Sequence, residues 1–156
     1  MYARSLLAAS ALALGLFAYA APAPAADASA TYQDIEKTLG MVPGFFKVFP
    51  QSGIAGAWEE FKTVQLNPNT ALDGKTKQLI GLAVAAQIPC QYCIYFHTAA
   101  AKANGASDEE VQEAVAMAAI TRHWSTVLNG MEVDMTAFKK DTDTVLQLAA
   151  KKAQSN

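Results

Sequence analysis

Residues 89–97 read Pro89-Cys90-Gln91-Tyr92-Cys93-Ile94-Tyr95-Phe96-His97 and hold both cysteines of the 156-residue chain and one of its two histidines. The spacing is Cys-x-x-Cys-x-x-x-His. If a helix opens here, positions three, four and seven apart share one face, so Cys90, Cys93 and His97 can meet. The first turn of a helix carries amide N–H groups without intrahelical partners, and its dipole favours negative charge. That setting lowers a thiol's pKa, and the thiolate is the reactive form of cysteine. A histidine within reach can take the thiol proton or return it. The stretch reads as a dithiol/disulfide pair with its own proton carrier. Cys93, the nearer to His97, is expected to be the more acidic thiol.

Working outward, the flanking sequence is helical. Asp73 caps a helix running through Lys75, Lys77, Leu79, Ile80, Leu82, Val84 and Ala86, which ends at Ile88 because a residue before proline resists the helical region. The cysteine-bearing helix runs from about Cys90 to Ala103 and closes at Asn104-Gly105. Ser107-Asp108-Glu109-Glu110 forms a capping box that opens a long helix through Val111, Val115, Ala118, Trp124 and Leu128, ended by Asn129-Gly130. A last helix spans roughly Asp134 to Lys152. Upstream, Thr31 is expected to cap a short helix, with Asp34 three residues on and Gly40 as its stop. A second upstream helix is expected over Ser52 to Leu66, broken by Asn67-Pro68-Asn69. No segment alternates with period two, so the fold class is all-α, without strands.

The N-terminus has a different character. A short basic start at Arg4 precedes an apolar run from Ser5 to Ala20, followed by Ala21-Pro-Ala-Pro-Ala25. This is the pattern of a signal peptide, with cleavage expected after Ala25. The expected organisation is therefore a removed signal over 1–25 and one helical domain over 26–156. The expected location is periplasmic or secreted, with no membrane attachment after cleavage. The mature chain has eleven basic against fourteen acidic residues, a net charge of −3, and no basic cluster. That charge pattern argues against a nucleic-acid partner.

Several chemistries use Cys-x-x-Cys. Haem attachment needs histidine directly after the second cysteine, where Ile94 stands. A thioredoxin-type motif needs a preceding strand, and here a helix precedes it. A structural zinc needs four ligands, which would require His123 to fold back onto Cys90, Cys93 and His97. No metal and no cofactor are expected. An export signal implies an oxidising compartment, so a purely structural disulfide is the plain alternative. A bridge across two residues constrains the unfolded chain little, however. His123 and Trp124 read as packing or interface residues.

Lys77-Gln-Leu-Ile-Gly-Leu-Ala-Val-Ala-Ala, Cys90-Gln-Tyr-Cys93-Ile-Tyr-Phe-His97 and the following Asn104-Gly-Ala-Ser-Asp-Glu-Glu-Val together resemble the alkylhydroperoxidase D core of the carboxymuconolactone decarboxylase-like family. The resemblance covers roughly Leu66 to Leu128. It implies an all-α bundle of the alkylhydroperoxidase D-like type, assembled as a homotrimer or homohexamer. It implies a peroxiredoxin-type antioxidant enzyme acting on a hydroperoxide or disulfide substrate and recharged by a thiol reductant that the sequence does not identify. By the same resemblance Cys93 attacks peroxide, Cys90 resolves, and His97 relays protons. Two positions depart from the family pattern. Gln78 stands twelve residues before Cys90, where a glutamate is usual, and Tyr92 stands where a second histidine is found in some members. Gln78 is thus a candidate site residue that can hydrogen-bond but cannot carry a proton. It can also be read as an ordinary polar surface residue. The competing functional class is a non-enzymatic helical oligomer whose Cys90–Cys93 bridge is structural or senses oxidants.

Overall fold

The computed structural model describes residues 28–155. The expected signal peptide lies outside the described residues. Seven α-helices follow in order: α1 Ala28–Leu39, α2 Gly44–Lys47, α3 Ile54–Glu60, α4 Gly74–Gln87, α5 Gln91–Ala103, α6 Asp108–Gly130 and α7 Met135–Gln154. A π-helical segment, Phe61–Leu66, follows α3 directly. No strand occurs among the described residues, as the lack of period-two alternation predicts. None of the described helices is long and apolar enough to cross a membrane. The stretch expected to be one domain divides by its contacts into two compact units, one ending at Glu59 and the other Glu60–Asn156.

The first unit is built around Ile35, Ile54, Trp58 and Phe46, all buried. The Trp58 indole donates its N–H to Asp34 at 2.7 Å, and its ring meets Phe46 edge-on at 5.5 Å. Thr31 was expected to cap α1, but the helix already begins at Ala28 and Thr31 is buried within it. Asp34 is correspondingly engaged in tertiary contact rather than at a helix start. Gly40, at φ +80°, ends α1 as expected, its N–H donating to Glu36 C=O at 2.8 Å.

In the second unit α4 is the central element, packed against both α5 and α6. Its buried residues are Gln78, Leu82 and Ala85, while α5 buries Ala101 and α6 buries Ala118. The alanines let helix axes come close, so a small core holds three helices. The caps follow the sequence. Asp73 accepts the Thr76 N–H at 2.7 Å, a bond that holds its carboxyl below the ordinary range. Ser107 and Glu110 complete a reciprocal capping box on α6, and Asp134 caps α7 through the Ala137 N–H. Each such cap contributes about 1 kcal/mol. Lys75 pairs with Glu110 at 2.6 Å and Lys102 with Asp108 at 2.5 Å, tying the start of α6 to α4 and α5.

Two helix ends share one bonding pattern and differ in the residue that takes the left-handed position. Gly105 (φ +84°) follows α5 with the paired bonds of a Schellman motif, Ala106 N–H to Ala101 C=O and Gly105 N–H to Lys102 C=O. α6 ends at Gly130, as expected from Asn129-Gly130, and its left-handed residue is Glu132 (φ +51°), with Val133 N–H on Leu128 C=O and Glu132 N–H on Asn129 C=O. Space is not the issue at Gly105, because a Cβ there would meet nothing within 4 Å. Gly105→Ala should therefore lower stability through backbone conformation alone, by about 1 kcal/mol. Urea titration checks this, and an unchanged midpoint would refute it.

Candidate active site

Cys90 is the N-cap residue of α5. Its sulfur accepts the Cys93 N–H at 3.2 Å, so one of the helix's unpartnered first-turn amides is satisfied by a sulfur. Cys93 stands one turn into the helix, and the two residues form a disulfide with their Cα atoms 5.3 Å apart. Both are half-buried. The exposed side of the same turn carries Tyr92, 88% accessible, and Tyr95. A disulfide at a helix start, half-open to solvent, is reachable by an attacking thiolate.

His97 lies one turn beyond Cys93 and is also half-buried. Phe96 meets its ring edge-on at 5.2 Å, and Phe61 stands 6.1 Å from Phe96. Burial pushes the imidazole below its ordinary pKa, because its charged form loses water. The ring is therefore neutral at neutral pH. Its Nδ1 lies 2.7 Å from the Gln78 Oε1 of α4. An amide oxygen only accepts, so Nδ1 holds the ring hydrogen and Nε2 is left with its lone pair. Gln78 thereby selects the tautomer in which the free nitrogen is a base.

Gln78 is only 4% exposed, which sets aside its reading as a surface residue. Its side-chain oxygen meets His97, and a buried amide without such a partner would cost about 1–3 kcal/mol. The four candidate residues thus fall into two linked pairs, Cys90 with Cys93 by a covalent bond and Gln78 with His97 by a hydrogen bond. His123 stands apart, exposed on α6 with its ring edge-on to Trp124 at 5.5 Å. No cluster of three or more His, Cys, Asp or Glu suited to a metal ion is found among the described residues.

One residue at this site escaped the sequence reading. Gly81 lies one turn after Gln78 on the face of α4 that meets the imidazole, and a Cβ there would collide with the His97 ring. The available signal was a glycine inside an otherwise strong helix, three residues from a buried polar position.

Residues 53–134, more than half of the chain, match the model of the carboxymuconolactone decarboxylase family. Over 52 residues the chain is 46% identical to uncharacterized protein 4 in cox locus of Paracoccus denitrificans, covering 33% of this chain and 47% of that one. The match spans about half the length of that curated relative. The fold is similar to the crystal structure of the alkylhydroperoxidase AhpD core from Rhodospirillum rubrum, with a TM-score of 0.63 and 29% identity over 72% of this chain and 85% of that chain. The stretch matched by the family model contains the cysteine pair, its helix and the helix bearing Gln78, and the chain belongs to the carboxymuconolactone decarboxylase family, with an alkylhydroperoxidase D-like fold.

Proposed function

We propose that this protein is an exported thiol oxidoreductase that reduces hydroperoxides by cycling Cys90 and Cys93 between dithiol and disulfide. The observation that carries this reading is the disulfide at the start of α5 with a neutral, oriented imidazole one turn away. In the reduced protein His97 Nε2 takes the Cys93 thiol proton. The thiolate attacks the outer oxygen of the hydroperoxide, so an S–O bond forms, the O–O bond breaks and the departing alkoxide is protonated to an alcohol. The Cys90 thiolate then attacks the Cys93 sulfenic sulfur, forming the disulfide and expelling hydroxide, which leaves as water. The Cys93 N–H that bonds to the Cys90 sulfur also stabilises a thiolate there. A dithiol reductant returns the pair to the dithiol state by exchange through a mixed disulfide.

Anaerobic stopped-flow mixing of the reduced protein with alkyl hydroperoxides tests this directly. Wild type should consume one equivalent and form the disulfide. Cys90→Ser should stop at a Cys93 sulfenic acid trapped by dimedone, and Cys93→Ser should not react. A reduced wild-type protein inert to every hydroperoxide, with a bridge that resists dithiol reductants, would establish a structural disulfide instead.

The Gln78–His97 bond predicts a pH signature. Because the imidazole pKa is lowered, peroxide reduction by wild type should hold down to mildly acidic pH and fall only below the ordinary histidine value of about 6.5. Gln78→Glu places a carboxylate against Nδ1, which favours the imidazolium and moves this loss to higher pH. It also supplies a second proton carrier, so the maximum rate of peroxide reduction should rise about tenfold or more. Exchange with a small disulfide should stay nearly unchanged. Superimposable pH–rate profiles for the two proteins would rule out a role for position 78 in the proton path.

Assembly belongs to the same reading. Met117, Ile120 and Trp124 of α6 are about half exposed, and α7 has no buried residue although Val145, Leu146 and Leu148 lie on it. Faces of this kind are normally covered, and a second copy of the chain is the economical cover. The proposed assembly is a homotrimer or homohexamer. Native mass spectrometry of the exported protein should show three or six copies of a chain beginning at Ala26. A monomer at micromolar concentration would overturn the assembly, and a chain still beginning at Met1 would overturn the export.

A further inference from the structure

Gly81 occupies the middle of α4, where glycine destabilises a helix relative to alanine. Its backbone is ordinary helix, so no left-handed conformation requires it. Space requires it. A Cβ built on Gly81 would stand 2.5 Å from His97 Nδ1 and 2.8 Å from Nε2, with Cε1 closer still. Contacts under 3.0 Å are essentially never made by a Cβ, and all three nearest atoms belong to one imidazole ring. That ring is also held by Gln78, one turn earlier on the same helix.

We infer that Gly81 is a positioning residue: its missing side chain is the seat in which the His97 imidazole lies against α4, and Gln78 locks the ring into it. The two residues act on different degrees of freedom. Gly81 sets how near the ring lies to the helix, and Gln78 sets which nitrogen carries the hydrogen. Any side chain at position 81 would push the ring off α4, break the bond to Gln78 and expose the imidazole to water. The tautomer preference and the lowered pKa would be lost together. The inference rests on the proposed proton-carrier role of His97 only for its effect on rate.

The test uses the full-length chain and three variants, Gly81→Ala, His97→Ala and the double variant. Proton–nitrogen correlation spectra follow the imidazole titration of His97, assigned by the loss of its signal in His97→Ala. In wild type His97 should titrate below about 6.5, and in Gly81→Ala it should move up to about that value. Alkylation of the reduced thiols at pH 7 should slow about tenfold or more in Gly81→Ala. In the His97→Ala background the ring is gone, so adding Gly81→Ala should raise the thermal midpoint, since alanine is the better helix former. If Gly81→Ala alone does not fold but the double variant does, the ring collision is again established. An unmoved His97 titration in Gly81→Ala would overturn the inference. So would a double variant that melts below His97→Ala, which would place the collision elsewhere. A wild-type protein unable to reduce hydroperoxides would defeat the proposed function and leave the titration result to decide this point.

Discussion

The hydrogen bond between Gln78 Oε1 and His97 Nδ1 is the constraint to which the second unit's geometry answers. Gln78 is a buried amide, and an amide taken from water must find a partner. Its partner lies on α5, so α4 and α5 must meet at one relative height and rotation. The alanines Ala85 and Ala101 permit the approach, and Gly81 removes the side chain that would prevent it. Shifting α5 by one residue along α4 would leave Gln78 unsatisfied and drive the imidazole into a neighbouring side chain. A polar pair therefore supplies register to a core whose small apolar residues would tolerate several.

The same arrangement explains why α4 is more than a scaffold. It delivers no sulfur, yet its Gln78 bonds the His97 ring and its Gly81 leaves the ring room, one turn from the disulfide. The disulfide is anchored differently, by the backbone of α5 itself. Site chemistry is thus divided between a helix terminus and a helix face. The first turn of α5 holds the Cys90 sulfur through the Cys93 N–H, and the flank of α4 holds the imidazole through an amide oxygen.

Helix boundaries governed by local chemistry were legible in the sequence. Asp73, the Ser107/Glu110 box, Asp134 and Gly105 each act within one turn of themselves, and each stands where the residue order places it. The spacing of Cys90, Cys93 and His97 was legible for the same reason. The misread features depended on distant partners or on subtle alternatives. Thr31 and Asp34 look like a cap, but Asp34 meets Trp58, twenty-four residues away. α6 stops at Gly130 as the residue order suggests, but the left-handed position that closes it falls two residues later, on Glu132. The π-helical winding of Phe61–Leu66 leaves an apolar pattern close to that of an ordinary helix. The spacing of Gln78 placed it in the right helix, but its burial follows only from packing against α5, and the purpose of Gly81 is visible only once the imidazole lies beside it.

The cap of α5 carries a thermodynamic implication. The atom that satisfies the Cys93 N–H is the Cys90 sulfur, which is neutral in the disulfide and would be an anion in a Cys90 thiolate. A hydrogen bond to a charged acceptor is roughly twice as strong as one to a neutral acceptor. A Cys90 thiolate in this position would therefore hold the first turn of α5 more tightly. Helix stability and electron affinity are then linked, and every ~1.4 kcal/mol by which the reduced cap is the better one raises the potential of the couple by ~30 mV. A cap that strengthens on reduction would make the couple a more willing electron acceptor than the same pair in an unstructured Cys-x-x-Cys peptide.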